Sequence, residues 1–133
     1  MPIDRLLVTD CMTTPVVTIS AAASVTEAEA LLRSRGISAL LVIGRSGQAA
    51  GVISRRDLLR VGRILAHVDD GGRRAVLQLP HLACGDLMTH PVLSVAPTAS
   101  VEDACRLLLE KRVHRVFVLS GGHPVGVFSS KEA

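Results

Sequence analysis

Aromatic residues are almost missing from this chain of 133 residues, which has two phenylalanines and neither tryptophan nor tyrosine. Proteins hold single-stranded nucleic acid largely by stacking bases on aromatic rings. The shortage therefore argues against a nucleic-acid partner, even though the formal net charge is +3. The core must be built from aliphatic side chains, and a hydrophobic content of 48% supplies them.

Several other features are missing as well. The three cysteines, Cys11, Cys84 and Cys105, show no CxxC spacing, and the five histidines show no ligand-like spacing, so we expect free thiols and no metal site. No apolar run approaches the ~20 residues of a membrane span, and charged residues stand where a signal peptide would be apolar. These absences predict a soluble, cytoplasmic protein without a membrane partner. No nucleophile with a neighbouring base can be read, so the sequence predicts no catalytic residues and no enzyme.

What the chain does contain is an internal repeat. Shifting the sequence by 76 residues places MTTPV at residues 12–16 on MTHPV at residues 88–92, and eleven of the 32 positions from 12 to 43 are identical. The stretch GVISRRD at residues 51–57 returns as GVFSSKE at residues 126–132. The chain therefore arose by duplication, which predicts two related units with two related pockets.

Each copy predicts the same order of elements. Short β-branched runs at residues 16–19 and 92–95 favour strands, and Ser24 with Glu27, like Ser100 with Asp103, is typical of a capping box that begins a helix. Each helix has one apolar face, formed by Val25, Ala28, Leu31 and Leu32 and by Val101, Ala104, Leu107 and Leu108. Gly36 can end the first helix in a left-handed conformation. Strands at residues 37–43 and 113–119 and closing strands that end at Ile53 and Phe128 follow.

The region between the copies predicts one more helix. Leu58, Val61, Leu65 and Val68 recur at helical spacing after Asp57, and the sequence DDGG at residues 69–72 would end that helix. Residues 73–84, interrupted by Pro80, are interpreted as a connector.

The order strand, helix, strand, strand, helix with these motifs resembles a cystathionine-β-synthase (CBS) domain, and two in tandem resemble a Bateman module. The resemblance implies an α/β (α+β) fold of two pseudo-symmetric β-α-β-β-α motifs packed sheet to sheet. It divides the chain into an N-terminal segment (1–8), a first motif (9–68), a connector (69–84) and a second motif (85–133) that lacks its final helix. The matching stretches are residues 11–16, 36–40, 51–57, 86–92, 113–116 and 126–132.

The resemblance also implies a ligand. Such modules are not enzymes and have no resident cofactor, but they typically bind an adenine nucleotide or S-adenosylmethionine as a regulatory ligand. By resemblance, the ribose contacts are Ser54, Asp57, Ser129 and Glu132, and the adenine pockets are formed by Pro15 and Val16 and by Pro91 and Val92. Phosphate-facing positions are His114, Arg115, Lys131 and Arg55.

The residues alone leave alternatives open. Ser54 with Asp57, and Ser129 with Glu132, also fit plain capping boxes, and His114 and Arg115 also fit solvent-facing positions of an edge strand. A carboxylate near a helix start can accept bonds from vicinal ribose hydroxyls, and a guanidinium can hold phosphate bidentately. His114 and Arg115 replace Ser38 and Ala39 of the first copy, so the sequence predicts that phosphate binds chiefly through the second copy.

The second copy has only Ala133 after Glu132, so its closing helix is missing. Either the chain was trimmed or another surface covers the gap. We expect a homodimer, because Leu31, Leu32, Leu107 and Leu108 would leave outward apolar faces and closed two-fold dimers are common. The function we expect is a regulatory sensor of adenosyl nucleotides that acts on its own assembly or on a protein partner. The alternatives are a ligand-independent interaction module and a regulatory fragment of a larger enzyme or transporter.

Overall fold

The computed structural model describes residues 6–130 and contains the predicted repeat as two units. The first unit holds helix α1 (Val8–Cys11), strand β1 (Thr18–Ser20), helix α2 (Val25–Arg35), strands β2 (Ala39–Ile43) and β3 (Ala49–Ser54) and helix α3 (Arg55–Val61). Strands β4 (Arg63–Asp69) and β5 (Gly72–Gln78) lie between the units. The second unit holds helix α4 (Cys84–Leu87), strand β6 (Ser94–Val95), helix α5 (Val101–Lys111) and strands β7 (Arg115–Ser120) and β8 (His123–Ser129).

Both units build the same small sheet. Strand β1 pairs in parallel with β2, which pairs in antiparallel with β3, and β6, β7 and β8 repeat this order. Within residues 6–130 the second unit ends at β8 without a helix. The predicted fold class is therefore confirmed, although the strands at 16–19, 37–43 and 113–119 begin two residues later than expected.

Each long helix covers one face of its own sheet. The predicted apolar faces are confirmed, since Val25, Ala28 and Leu32 are buried with Leu40 and Val42 in one core. Their counterparts in the second unit form the other core, around Val101, Ala104, Leu108, Val116, Val118 and Phe128. Successive strand residues point to opposite faces, so buried Leu41 and Phe117 lie on the faces turned towards the other unit.

The apolar faces of α2 and α5 point inward, which corrects one expectation. Leu32 and Leu108 are 1% and 6% exposed, and Leu31 and Leu107 pack against the same cores. The argument that these four leucines must remain outward and force a dimer is wrong, because an amphipathic helix over a small sheet buries its whole apolar stripe.

The two units exchange their first segments. Val8 of α1 is buried in the core of the second unit, and Cys84 of α4 is buried in the core of the first. Backbone bridges continue the exchange, since Thr13 pairs with Val127 and Thr89 pairs with Val52. Each core therefore requires both halves of the chain.

The predicted starts of the long helices are present. Ser24 Oγ accepts a bond from the backbone N–H of Glu27, and Ser100 Oγ accepts one from that of Asp103, both at 3.0 Å. Gly36 ends α2 in the left-handed conformation as expected, with φ of 63°. In the second unit Arg112 takes the same conformation, with φ of 55°, although it carries a side chain.

The helix predicted beyond Asp57 is too long. Helix α3 ends at Val61, because extended Gly62 ends the helix and β4 follows directly. Leu65 and Val68 lie on that strand, which pairs in antiparallel with β5 over seven residue pairs. The DDGG sequence makes the hairpin turn, in which Gly71 N–H donates to Asp69 Oδ1 at 2.8 Å and Gly72 has φ of 98°. An Asp-Gly pair between extended runs is itself a hairpin signal, so periodicity alone misled the prediction.

Candidate functional site

A cleft of about 390 Å³ opens where the two units meet. Its walls come from both copies of the repeat rather than from one. The first copy supplies Thr13, Pro15, Val16, Val17, Gly36, Ile37, Ser38, Ala39 and Arg55, and the second supplies Arg115, Phe117, Val127 and Ser129.

The exchange of segments brings these residues together. Thr13 N–H donates to the carbonyl of Val127 at 2.8 Å, and Val127 N–H donates back at 3.0 Å. The chain that carries Pro15 and Val16 is thereby held beside strand β8, close to Ser129. Together with Phe117 these side chains give one end of the cleft an apolar wall.

Two arginines, Arg55 and Arg115, bring positive charge to the cleft. Arg115 begins β7, and its Nη2 donates to Ser38 Oγ of the other unit at 2.8 Å. Arg55 begins α3, and its Nη2 donates to the carbonyl of Ile37 at 3.1 Å. The ion pairs among residues 6–130 involve other cationic side chains, namely Arg33, Arg60, His67, Arg74 and Arg106, so neither guanidinium group in the cleft is paired with a carboxylate of these residues. A guanidinium has five N–H donors, which leaves most of them available to an anion.

Ser54 and Asp57 form a complete capping box at the start of α3. Asp57 Oδ2 accepts bonds from Ser54 N–H at 2.8 Å and from Ser54 Oγ at 2.9 Å, and Ser54 Oγ accepts one from Asp57 N–H at 3.2 Å. The other carboxylate oxygen lies 3.8 Å from Arg60 Nη1. The structural use of the pair is thus realised, while Oδ1 has only a long contact. A role in holding ribose stays a prediction.

The remaining predicted residues do not gather in one place. His114 lies in the bend before β7, and Arg115 is the first residue of that strand. Arg115 lines the cleft, whereas His114 lines a groove beside α5. Pro91 is exposed and Val92 is partly buried, at the positions equivalent to Pro15 and Val16. Lys131 and Glu132 lie outside the described residues. The sequence could not predict that Pro15 and Val16 share a cleft with Ser129 of the other copy. The exchange of α1 and α4 brings them together, and it leaves no signal in an alignment of the two repeats.

Sequence reasoning also missed several lining residues. Phe117 and Val127 fall within predicted strands and Ile37 begins one, and none was predicted as a site residue, but all three line the cleft. Gly36 was predicted as a helix end and lies in the matching stretch 36–40, but it was not predicted as a site residue. The available signal was the alternation along β7 and β8, which places Phe117 and Val127 on the sheet face opposite to the core residues.

Among residues 6–130 no helix is long and apolar enough to cross a membrane. In the same range no three His, Cys, Asp or Glu side chains are grouped as metal ligands would be. Burial, together with the nearby charge of Glu27, raises the pKa of the Cys84 thiol to about 11. This thiol therefore stays protonated and unreactive in the core at neutral pH.

Known proteins share this architecture. The profile of the CBS domain family matches residues 8–63 and 84–133. CBS domain-containing protein YhcV of Bacillus subtilis (strain 168) is 28% identical over 120 residues, which cover 90% of this chain and 77% of YhcV. The solved structure of CBSX2 in complex with AMP aligns with a TM-score of 0.76 and 28% identity, covering 96% of this chain and 92% of CBSX2.

Other relatives are much longer than this chain. An inosine-5'-monophosphate dehydrogenase of Korarchaeum cryptofilum (strain OPF8) is 27% identical over 119 residues, which cover 88% of this chain but 21% of the dehydrogenase. An uncharacterized 33.4 kDa protein of Thermofilum pendens is 26% identical over 102 residues, which cover 77% of this chain and 30% of that protein. The similarity in both cases therefore concerns one part of a longer protein.

Proposed function

The chain belongs to the CBS domain family, and on that premise we propose that it is a non-catalytic regulatory module that senses an adenine nucleotide of the AMP type. The observation that carries this proposal is the cleft between the units. It is lined by apolar side chains and by two arginines, Arg55 and Arg115, that form no ion pair with a carboxylate of residues 6–130. The AMP complex of CBSX2, a relative that aligns along nearly the whole chain, supports the choice of ligand.

The size and polarity of the cleft suit a nucleotide. Small-molecule sites in proteins usually enclose about 300–1,000 Å³ and are lined mainly by apolar side chains with a few polar groups. The cleft has a volume of about 390 Å³. Pro15, Val16 and Phe117 offer flat or aliphatic surface to a purine, and Ser129 lines the same cleft.

Charge selects among adenosyl ligands. Arg55 and Arg115 bring two positive charges into the cleft, and arginine binds phosphate bidentately. S-adenosylmethionine carries a sulfonium and an ammonium group against a single carboxylate, so its net charge is positive and it would face these charges less favourably than a phosphate would. The arginines therefore support the proposal of an anionic nucleotide rather than S-adenosylmethionine, with its phosphate in the cleft that both copies line.

The cleft also suggests how binding is converted into a signal. Arg115 of the second unit donates to Ser38 of the first unit, so this bond joins the two halves of the cleft. A phosphate that takes the guanidinium replaces a bond between the units with a bond to the ligand. A ligand shifts a conformational equilibrium only through contacts that differ between the two conformations. The loss of the Arg115–Ser38 bond on phosphate binding is such a difference, and through it the ligand changes the arrangement of the units.

Calorimetric titration of AMP and adenosine into Arg115→Ala and Ser38→Ala variants tests the proposal. Removing Arg115 removes a charge-assisted hydrogen bond, which weakens AMP binding by about 1.5–3 kcal/mol. Adenosine should bind both variants as well as the unchanged protein. Ser38→Ala is the matched control, since it removes the partner of Arg115 but keeps the charge, and AMP affinity should not fall.

Equal losses for AMP and adenosine in Arg115→Ala would show that the arginine does not recognise phosphate.

The broader alternative is a ligand-independent interaction module, and an open apolar groove beside α5 favours it. A thermal shift separates the two, because a ligand at ~100 times its Kd adds about 2.7 kcal/mol to the free energy of unfolding. No shift with AMP, ADP, ATP or S-adenosylmethionine would favour the interaction module.

A further inference from the structure

The hairpin of β4 and β5 has no counterpart in the duplicated pattern. It lies between the units, and within residues 6–130 each of its strands pairs only with the other. All seven residues of β4 are exposed, as are six of the seven in β5. An isolated pair of strands is marginally stable in water, and a third strand or a packed helix normally supports it. In the described part of the chain the hairpin therefore presents two outer edges without a partner strand.

The outer edge of β4 lacks the usual protection against pairing. Edge strands in soluble proteins are commonly protected by charges, a proline or a bulge. Residues 64–68 have the sequence ILAHV, and their pairing with β5 is regular. Ile64 and Val68 are each 68% exposed. This edge is therefore suited to accept another strand.

The turn determines which backbone groups of β4 point outward. Asp69 and Gly72 face each other across a two-residue turn, so they form a hydrogen-bonded pair, and such pairs alternate along an antiparallel ladder. The N–H and C=O groups of residues 63, 65, 67 and 69 thus point towards β5. Those of Ile64, Ala66 and Val68 point to the open edge.

We infer that the open edge of β4 pairs in antiparallel with β4 of a second copy of this chain, centred on Ala66. In this register Ala66 faces its own counterpart, and Ile64 faces Val68 of the other copy. These are the residues whose backbone groups point outward, so the two edges satisfy each other. A two-fold interface requires one surface that is complementary to itself, and a strand paired in antiparallel with its own copy meets that requirement.

The charges at the two ends of β4 support this register. Arg63 of each copy faces Asp69 of the other, so opposite charges meet twice across the axis. Arg63 takes part in no ion pair among residues 6–130, whereas Asp69 lies 3.1 Å from Arg74 and gains a second cation. Opposite charges and apolar side chains that face each other across strands stabilise a sheet.

The outer edge of β5 offers no such match. Its outward backbone groups belong to Arg73, Ala75 and Leu77, so self-pairing would centre on Ala75. Arg73 would then face Leu77, and Arg74 would face Val76. Charged side chains would lie opposite apolar ones along this edge, so β4 is the edge that pairs.

The arrangement is free of overlap between the two copies. A seven-residue strand is roughly 23 Å long, and antiparallel pairing puts the CBS units of the two copies at opposite ends of a shared four-stranded sheet. One strand pair buries less than the roughly 800 Å² per partner of a standard interface. We therefore expect weak, reversible association, and the inference does not depend on a bound nucleotide.

Proline at an outward position tests the interface. Ala66→Pro removes an N–H that bonds to the second copy but none that bonds to β5. In sedimentation velocity of the full chain between about 1 and 200 µM, the mass of the unchanged protein should double. Ala66→Pro should raise the Kd of this step by about tenfold or more. Ala75→Pro is the matched control, since Ala75 faces Ala66 within the hairpin and its N–H points to the other edge, so the Kd should change less than about twofold.

Cysteine cross-linking tests the register without a proline. Facing residues of a hydrogen-bonded pair have Cα atoms about 5.5 Å apart, which a disulfide can span. Under mild oxidation Ala66→Cys should therefore form a disulfide-linked dimer. Ala75→Cys should not, because the two β5 strands lie about 14 Å apart in the shared sheet. The unchanged chain, with its three cysteines, gives the background.

Arg63→Glu tests the charge match. It places like charges opposite each other twice, and it should raise the Kd about three- to tenfold, the effect of two exposed ion pairs. Arg73→Glu makes the same change of charge on β5 and should have less than about a twofold effect.

Circular dichroism melting of each variant verifies that it is folded. A constant mass at every concentration, or association that Ala66→Pro leaves unchanged, would overturn the inference. Cross-linking of Ala75→Cys as efficient as that of Ala66→Cys would also overturn it, because β5 would then lie at the contact.

Discussion

The two units have the same order of helices and strands in their sheets, but they carry different residues at equivalent surface positions. The first unit keeps small residues, Gly36 and Ser38, beside the cleft and a charged pair on its helix. The second unit has Arg112 and His114 at the equivalent positions, and both line the groove beside α5. The duplication thus preserved the cores and changed the surfaces, so that one copy lines most of the cleft and the other carries an apolar groove beside α5.

The exchange of α1 and α4 makes this division possible without making the units independent. Each core is completed by a helix from the other half of the chain, with Val8 in one and Cys84 in the other. The duplicated units therefore behave as one domain, and a lesion in either core should destabilise both.

Phe128→Ala is the strongest test of that dependence. Phe128 is fully buried in the second core, and truncating a buried phenylalanine costs about 3–5 kcal/mol of the free energy of unfolding. Because the units share segments, chemical denaturation should still show one transition, at lower denaturant. Hydrogen exchange should report lower protection in both units.

Ile53 occupies the equivalent buried position of the first unit and provides the comparison. Ile53→Ala should cost about 2–5 kcal/mol and give the same single transition. Two separate transitions in either variant, or loss of protection confined to the mutated unit, would show that the units fold independently.

Much of this fold could be predicted because the same sequence pattern occurs in both copies of the repeat. The helix faces, the serine caps and the left-handed end at Gly36 each follow from local chemistry, and all are present. The hairpin was missed because Leu58, Val61, Leu65 and Val68 also fit helical spacing. Only the Asp-Gly turn and the extended Gly62 distinguish the two structures there.

The candidate site was less predictable than the fold. Arg55, Arg115, Pro15 and Val16 were all singled out from the sequence and all line one cleft. The sequence did not indicate that they come together from two copies, because the exchange depends on long-range backbone bridges such as Thr13 with Val127. His114 and Arg115 looked equivalent in sequence, but Arg115 lines the cleft and His114 lines the groove beside α5.

Asp57→Asn separates ligand binding from helix capping in the first unit. Asparagine keeps the shape and an acceptor for Ser54, so the melting temperature should barely change. If Oδ1 accepts from a ribose hydroxyl, the amide presents a donor there instead and AMP binding weakens by about 1–2 kcal/mol. Parallel melting and calorimetric titration measure both effects.

Asp86→Asn is the matched control, because Asp86 caps α4 through the N–H of Ala83 at 3.1 Å. Neither carboxylate is part of the cleft wall, but Asp57 lies two residues from Arg55, which is, whereas no residue near Asp86 in the chain lines the cleft. Its AMP affinity should not change. A lower melting temperature with unchanged affinity in Asp57→Asn would mean that this carboxylate only caps α3. If the ligand sits in a pocket of the second copy instead, Glu132→Gln should show the loss of affinity.

The smallest expected effect concerns the left-handed residue that ends each long helix. A residue with a side chain costs about 1–2 kcal/mol in this conformation, whereas glycine adopts it freely but loses about 0.5–1 kcal/mol more entropy on folding. Arg112→Gly should therefore raise the free energy of unfolding by up to about 1 kcal/mol. Gly36→Ala should lower it by a similar amount, and for backbone reasons only, since an added Cβ meets no atom within 4 Å. Urea denaturation of the two variants and of the unchanged chain measures both shifts. Opposite signs would confirm that the units differ in backbone strain at this point, whereas a loss of stability in Arg112→Gly would show that contacts of the arginine side chain outweigh the strain of its backbone.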